Sequence, residues 1–216
     1  MTRLLRPRLL LADDHRMVAE GLKSLLSSEF ELLDVVEDGR ALVAAAKRLR
    51  PDVIVADITM PHLNGIDALR QLKKDDPSVK VVFLTMRQEV AYARRALEAG
   101  ASGFVLKHSA PAELITAIRA ALSGKTYITP ALAGEVFHAL QHEPQQTEDP
   151  AAKLTPRQRE ILQLLAEGRS AKEIASTLAI SSRTVEFHKY QMMETLGLHH
   201  SAELIHFAIK HGIVAI

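Results

Sequence analysis

Five polar residues in the first half of the chain are of the types needed to accept and hold a phosphoryl group. They are Asp13, Asp14, Asp57, Thr85 and Lys107. A carboxylate can act as a nucleophile that forms an acyl phosphate, and clustered carboxylates bind the divalent cation that shields phosphate oxygens. Lysine and threonine supply the cationic and hydroxyl donors that those oxygens accept. The most natural nucleophile of the set is Asp57.

Each of these polar positions follows a short apolar run that predicts a buried strand. The runs are Leu9–Ala12, Val53–Ala56, Val81–Leu84 and Phe104–Leu106. The carboxyl ends of parallel strands meet at one edge of the sheet, and that edge is where open α/β sheets bind ligands. We therefore expect the five side chains to lie together. The alternative is that they are solvated polar residues at strand ends, which is the ordinary reading of a lone aspartate.

The spacing of apolar residues predicts strands and helices in alternation through the first half of the chain. Strands are expected near 8–13, 31–37, 52–57, 80–85 and 103–107, and helices near 15–28, 39–49, 64–75, 88–99 and 111–123. Alternation with short connections indicates an α/β domain with helices on both faces of a parallel sheet. The predicted fold is a flavodoxin-like, doubly wound, five-stranded domain.

Two domains and a connection are predicted. The α/β domain is expected over 1–125 and an all-α domain over 153–216. The connection, 126–152, is expected to hold a short helix that begins near Pro130 and then a flexible linker. The linker is predicted because 141–150 is polar, interrupted by proline and without apolar periodicity.

Four helical patterns occupy the last part of the chain. The expected N-caps of the first three are Thr155, Ser170, and either Ser181 or Ser182. The third helix should run to about Leu196, where Gly197 stops it. The fourth presents an apolar stripe that suits either dimer packing or the core of the domain, formed by Leu204, Ile205, Ala208 and Ile209.

The bulk composition excludes several classes of protein. Hydrophobic residues make up 47% of the 216 residues and charged residues 25%, which is ordinary for a soluble globular protein. There is no cysteine, and no apolar run reaches the ~20 residues that span a bilayer. We expect a cytoplasmic protein without membrane contact. Charge gives only a weak indication of nucleic-acid binding, because 8 basic residues face 6 acidic ones after position 150, against 19 and 20 before it.

Longer motifs accompany these residues. They are Met60-Pro61-His62-Leu63-Asn64-Gly65 after the aspartate, Gly100-Ala101-Ser102-Gly103-Phe104 before the lysine, and Leu154-Thr155-Pro156-Arg157 through Leu196-Gly197-Leu198. Residues 7–123 resemble the receiver domain of two-component response regulators, and residues 153–214 resemble a LuxR-type helix-turn-helix. Together they resemble the NarL/FixJ class of response regulators.

The resemblance implies a magnesium site beside the phosphoacceptor. Asp14 and Asp57 would ligate Mg²⁺ directly, the backbone carbonyl of Thr59 would complete the protein ligands, and Asp13 would act through water.

The resemblance also implies a switch. Lys107 would pair with one phosphoryl oxygen and Thr85 would donate its hydroxyl to another. Movement of Thr85 would free space that Phe104 fills. The alternative for Phe104 is that it is simply a core residue of its strand.

A helix-turn-helix places its second helix in the major groove. The resemblance puts Glu186, Phe187 and Tyr190 against bases, where Glu186 would accept from a cytosine amino group and Phe187 would contact a thymine methyl. Phosphate contacts are expected from Lys172, Ser181, Arg183, Thr184, His188 and Lys189. The alternative is the solvated face of an ordinary helical bundle.

The function implied is that of a response regulator rather than an enzyme with an external substrate. A sensor histidine kinase would phosphorylate Asp57 in the presence of Mg²⁺, and the active form would bind promoter DNA as a homodimer, with RNA polymerase as a further partner. Two alternatives stay open at this point. One is a phosphorylation-switched module that binds a protein partner, and the other is a DNA-binding regulator that is indifferent to phosphorylation.

Overall fold

The structure, a computed structural model, describes residues 6–109, 111–141 and 150–214. The chain separates into two compact units, 1–143 and 144–216. None of the helices in the described ranges is both long and apolar enough to cross a membrane.

The first unit is a parallel sheet between two layers of helices. Its strands are β1 (Arg8–Ala12), β2 (Glu31–Val36), β3 (Val53–Ala56), β4 (Val81–Thr85), β5 (Gly103–Leu106) and β6 (Tyr127–Ile128). Its helices are α1 (Arg16–Leu26), α2 (Gly39–Leu49), α3 (Gly65–Asp75), α4 (Val90–Glu98), α5 (Pro111–Leu122) and α6 (Pro130–Gln141). The strand order is β2-β1-β3-β4-β5-β6 and every pairing is parallel. The predicted doubly wound α/β fold is confirmed.

The predicted number of strands was wrong by one. Within the described residues the sheet has six strands, because Tyr127 and Ile128 pair with Gly103 and Phe104. A run of two residues has no measurable period, so nothing local to this segment distinguishes a strand from a turn. Its strand conformation comes from the free edge of β5 that it covers.

Helix α6 also belongs to the first unit. Leu132 and Val136, four residues apart and therefore on one face of the helix, are buried in the same core cluster as Ala93 and Ala96 of α4. The sequence prediction placed this helix in a connection between the domains. Residues 142–149 of the predicted linker lie outside the described residues.

The core lies on both faces of the sheet. Leu10, Ile54 and Phe104 belong to the cluster on one face, and Leu11 and Val55 to the cluster on the other. Strands β1, β3, β4 and β5 therefore read as continuous apolar runs, as expected for strands covered on both sides. The polar residues that follow these runs lie at the carboxyl edge of the sheet.

The second unit is helical. A 3₁₀ turn at Pro150–Lys153 precedes α7 (Pro156–Ala166), α8 (Ala171–Leu178), α9 (Ser182–Leu196) and α10 (Ser201–Lys210). The three predicted N-caps are confirmed, since the hydroxyls of Thr155, Ser170 and Ser181 accept backbone N–H groups of α7, α8 and α9. In the stripe of α10, Leu204 and Ala208 are core residues, whereas Ile205 is exposed.

Candidate phosphoacceptor site and nucleic-acid interface

The ends of three strands bring Asp13, Asp57 and Lys107 into direct contact. Lys107 Nζ lies 2.7 Å from Asp13 Oδ2 and 2.7 Å from Asp57 Oδ2. The strands fix this arrangement, because Asp57 N donates to Ala12 O at 2.9 Å and Lys107 N donates to Thr85 O at 2.8 Å. All three side chains are largely buried. The structure therefore places these three residues together at one edge of the sheet, as expected from the sequence.

Burial and charge act against each other in this group. Burial raises the pKa of Asp57, and the neighbouring Lys107 offsets this only in part. Burial alone would lower the pKa of Lys107, but the carboxylates of Asp57 and Asp13 outweigh it, so that its pKa is raised. Lys107 is therefore held as a cation between the two carboxylates.

Asp14 adds a third carboxylate at the same edge. One ligand atom from each of Asp13, Asp14, His15 and Asp57 falls in a group whose members all lie within 4.8 Å of one another. Asp14 Oδ1 is buried and makes no hydrogen bond of acceptable geometry with the described residues, although His15 Nδ1 is 2.8 Å away. A buried oxygen with unused acceptor capacity, next to two further carboxylates, suits a hard divalent cation such as Mg²⁺.

The backbone around the acceptor is closely fitted. Thr59 N donates to Asp57 Oδ1 at 3.2 Å. A Cβ on Gly65 would lie 2.3 Å from the carbonyl oxygen of Asp57, so this position at the start of α3 excludes any side chain. Gly65 N in turn donates to Ile58 O at 2.8 Å. The motif that ends in Gly65 therefore fixes the path of the chain just after Asp57.

The predicted switch residues are both inside the protein. Thr85 is fully buried, and its Oγ1 accepts a hydrogen bond from Arg87 N at 3.1 Å. That bond uses a lone pair and leaves the hydroxyl proton available to a phosphoryl oxygen. Phe104 is also fully buried and belongs to the core cluster that contains Phe83. Met86, the large apolar residue that follows Thr85, is exposed.

Helix α9 separates an inward face from an outward one. Val185 and Met192, seven residues apart, are fully buried. Phe187 and Tyr190 are 57% and 65% exposed, which leaves two large aromatic side chains on the surface of one helix. Aromatic side chains on a polar helix face are suited to contacts with base edges and thymine methyl groups.

The remaining predicted DNA contacts lie around the start and the outer face of this helix. Arg183 is exposed, and Lys189 Nζ lies 3.3 Å from Glu186 Oε2. Ser181 Oγ and Thr184 Oγ1 are 2.8 Å apart at the N-cap. Lys172 is exposed on α8.

His188 is the predicted contact that the structure presents least favourably. Its side chain is half-buried, and Nδ1 is buried without a hydrogen-bond partner among the described residues.

One positioning residue of the helical unit was missed by the sequence prediction. Arg157 donates to Glu160 Oε2 at 2.7 Å and to the carbonyl of Leu178, at the end of α8, at 2.8 Å. The guanidinium thereby ties α7 to the turn between α8 and α9. A basic residue after a helix-starting proline gives no sign of this in the sequence, since the acceptor lies 21 residues away.

Comparison with known families identifies both units. The family described as the response regulator receiver domain matches residues 9–119, and the luxR family of bacterial regulatory proteins matches residues 152–208. The chain is a two-component response regulator. The resemblance to the receiver and LuxR-type domains is confirmed.

Relatives of this response regulator match it over nearly its whole length. The transcriptional regulatory protein MctR of Rhizobium johnstonii is 38% identical over 100% of this chain and 99% of its own length. The response regulator UvrY of Escherichia coli is 34% identical over 94% of each chain. RcsB from Salmonella enterica serovar Typhimurium, solved on promoter P1flhDC in the presence of the phosphomimetic BeF3-, is 27% identical, with a TM-score of 0.60 over 95% of this chain and 99% of that one.

Proposed function

We propose that a sensor histidine kinase phosphorylates this response regulator on Asp57, and that the phosphoryl group controls sequence-specific binding of α9 to promoter DNA. The observation that carries the proposal is Lys107 Nζ, placed 2.7 Å from both Asp57 and Asp13 at the carboxyl edge of the sheet. An ammonium group between two buried carboxylates is already positioned to form an ion pair with the oxygens of an incoming phosphoryl group.

Phosphoryl transfer to Asp57 requires the ionised carboxylate. One carboxylate oxygen attacks phosphorus, the N–P bond of the donor phosphohistidine breaks, and its electron pair returns to the imidazole, which takes up a proton. Lys107 and Thr85 then hold two phosphoryl oxygens by an ion pair and a hydroxyl hydrogen bond. The protein catalyses no other reaction in this proposal than its own phosphorylation and dephosphorylation.

Mg²⁺ fits the group of carboxylates beside Asp57. Asp14 and Asp57 would hold it directly, with the carbonyl of Thr59, and Asp13 would act through water. The bound cation supplies charge neutralisation for the phosphoryl oxygens. The buried Oδ1 of Asp14, which accepts no hydrogen bond from the described residues, supports this assignment.

The added charge of about −1.5 to −2 reorganises the sheet edge. Thr85 moves toward the phosphoryl group, and the inward position of Phe104 is then favoured by burial alone, because phenylalanine has no hydroxyl to bond. We propose that this shift favours a homodimer on inverted half-sites and that the bound dimer acts on RNA polymerase. The solved structure of two RcsB dimers bound to two parallel DNAs, 27% identical to this chain, supports the binding of DNA by a dimer.

On DNA, Glu186, Phe187 and Tyr190 would read bases. Phosphate contacts would come from Lys172, Ser181, Arg183, Thr184, His188 and Lys189. We propose a cytoplasmic location, where a bacterial regulator meets both the kinase and the chromosome.

A gel shift with a pool of genomic fragments tests the proposal. The protein is compared with and without acetyl phosphate and Mg²⁺, beside Asp57→Asn and the control Asp75→Asn, an exposed aspartate that pairs with Lys47 on the surface. We expect binding that strengthens on phosphorylation in the wild type and in Asp75→Asn, but not in Asp57→Asn.

Two other outcomes would contradict the proposal in different ways. Binding that ignores phosphorylation and the Asp57 substitution would indicate a regulator that is indifferent to phosphorylation. Absence of DNA binding in every condition would favour the protein-interaction module.

A further inference from the structure

Thr129 is a buried threonine between the last strand of the sheet and α6. Its Oγ1 accepts a hydrogen bond from Leu106 N at 3.2 Å and donates one to Glu113 Oε1 at 2.6 Å. The Thr129 hydroxyl, which belongs to neither element, therefore connects the end of β5 to α5. Nothing in the chemistry described above uses this residue.

The hydrogen bond from Leu106 N takes the place of a backbone hydrogen bond that the β5–β6 pairing lacks. Tyr127 N and Thr129 N donate to Ser102 O and Phe104 O at 3.1 and 2.9 Å, as in a parallel ladder. The next β5 donor on this side is Leu106 N, but Pro130 has already begun α6, so no further strand carbonyl continues the ladder. The hydroxyl oxygen of Thr129 takes that place, and without it a buried N–H would lack an acceptor.

Leu106 immediately precedes Lys107. It also pairs with Thr85 in the register of β4 and β5, and Lys107 N donates to Thr85 O at 2.8 Å. The N–H that Thr129 holds thus belongs to the last residue before the lysine whose Nζ bridges Asp57 and Asp13. Lys107 is fixed on one side by β4 and on the other, through Leu106, by Thr129.

The Thr129 hydroxyl does not cap the helix that follows it, whereas the hydroxyl of Thr155 does. Thr155 also precedes a proline that begins a helix, and its Oγ1 caps that helix by accepting from Gln158 N at 3.2 Å. At Thr129 the same Thr-Pro sequence starts α6, but the hydroxyl turns away to Leu106 and Glu113. Glu113 also lies close enough to Tyr127 that its carboxylate, after burial, contributes to raising the pKa of that tyrosine.

We infer that Thr129 is a positioning residue for Lys107, and that through it the docking of α6 and the chemistry at Asp57 are coupled. The inference rests on the proposed phosphorylation of Asp57. When Thr129 holds Leu106, the end of β5 is rigid and Lys107 is aligned for the phosphoryl group. When the segment from β6 to the start of α6 leaves β5, Leu106 loses its acceptor and the alignment relaxes.

The test uses the full-length protein and the variants Thr129→Val, which keeps the shape but removes the hydroxyl, and Thr129→Ser, which restores it. Thr155→Val is the matched control, because it removes the hydroxyl of the other Thr-Pro helix start. We expect Thr129→Val to expose the Leu106 amide to faster hydrogen exchange. We also expect severalfold slower labelling by acetyl phosphate with Mg²⁺ and a changed lifetime of phospho-Asp57. Thr129→Ser should return all three to wild-type values, and Thr155→Val should leave them unchanged.

Thermal denaturation of each variant separates positioning from stability. If Thr129→Val lowers the melting temperature while labelling and lifetime stay at wild-type values, Thr129 is structural only and the inference fails. Should Thr129→Val not fold, Thr129→Ala serves instead, because it also removes the hydroxyl, and wild-type exchange and labelling in that variant would equally overturn the inference. A wild type that takes no phosphoryl group contradicts the proposed function, whereas an unchanged Leu106 amide in Thr129→Val contradicts the role of Thr129.

Discussion

Lys107 Nζ lies at the same distance, 2.7 Å, from a carboxylate oxygen of Asp13 and from one of Asp57. Both carboxylates are buried, so that each depends on the same ammonium group for compensation. Any change at one of the three residues alters the electrostatic surroundings of the other two.

Replacement of Lys107 by an uncharged residue should destabilise the protein. We expect Lys107→Met to lower the free energy of unfolding by about 3–5 kcal/mol in the absence of divalent cations, because it removes the ammonium group that compensates two buried carboxylates. Mg²⁺ should restore part of the loss. Lys47→Met is the control, since Lys47 pairs with Asp75 at the same 2.7 Å but on the surface, where such a pair contributes about 0–1 kcal/mol. Urea unfolding with and without Mg²⁺ measures both, and equal losses would contradict the prediction.

The close approach of Gly65 to Asp57 gives a second prediction. Gly65→Ala should destabilise the protein by about 1–3 kcal/mol, because the new methyl group meets a backbone carbonyl that must move. It should also slow labelling by acetyl phosphate. Gly134→Ala in α6 is the matched control, since its Cβ meets nothing within 4 Å, and it should stabilise by about 0.5–1 kcal/mol. Unfolding curves in which both substitutions act in the same direction would refute this account.

The N-cap of α8 predicts a pH effect. Hydrogen bonds from the Ser170 hydroxyl and backbone N–H, at 2.7 and 2.8 Å, lower the pKa of Glu173. A lowered carboxyl pKa contributes stability above the ordinary value for glutamate, and this contribution is lost as the pH falls through the folded value. We expect Ser170→Ala to move the pKa of Glu173 back toward its ordinary value, as followed by carbon-detected NMR titration. Ser181→Ala, which removes the cap of α9 instead, should leave Glu173 unchanged.

The exposed aromatic residues of α9 predict a separation of DNA binding from stability. Phe187→Ala should weaken specific binding by about 1–3 kcal/mol, in the range of one good base contact, with little effect on unfolding. Phe137→Ala on α6 is the control, because its side chain is exposed to almost the same extent, 58% against 57%, and lies outside α9. Fluorescence anisotropy with a bound promoter fragment measures both. Equal binding by Phe187→Ala and wild type would exclude base contact by this residue.

Replacement of Lys172 should change DNA binding in a different way from replacement of Phe187. A lysine that contacts phosphate contributes to every sequence alike, so Lys172→Ala should weaken specific and nonspecific binding in parallel. It should also reduce the slope of log K against log salt by about 1. A loss confined to the specific site would instead indicate that Lys172 reads a base.

The site could be predicted because its residues mark the ends of strands. Each of Asp13, Asp57 and Lys107 follows an apolar run, and parallel strands bring such ends together whatever the details of the loops. Thr155 and Ser170 were equally visible as caps, because their hydroxyls bond N–H groups only three residues ahead. In these cases the partner is determined by local spacing or by the topology of the sheet.

The role of Thr129 was not visible for the opposite reason. Its sequence neighbourhood, a threonine before a helix-starting proline, is the same as that of Thr155. Its partners are Leu106 and Glu113, 23 and 16 residues away, and they are in reach only because β6 has paired with β5. A hydroxyl bonds whichever unpaired group is nearest in the folded chain, and sequence spacing does not give that distance.

The short strand β6 has a consequence for how the first unit can be isolated. By covering β5 it leaves only two residues of its own ladder facing outward, and short edges protect sheets from joining edge to edge with other molecules. A fragment that ends at residue 125 would uncover β5 along its full length, together with the apolar face of α4 that Leu132 and Val136 shield. Such a fragment should self-associate at concentrations where one that extends through residue 141 stays monomeric.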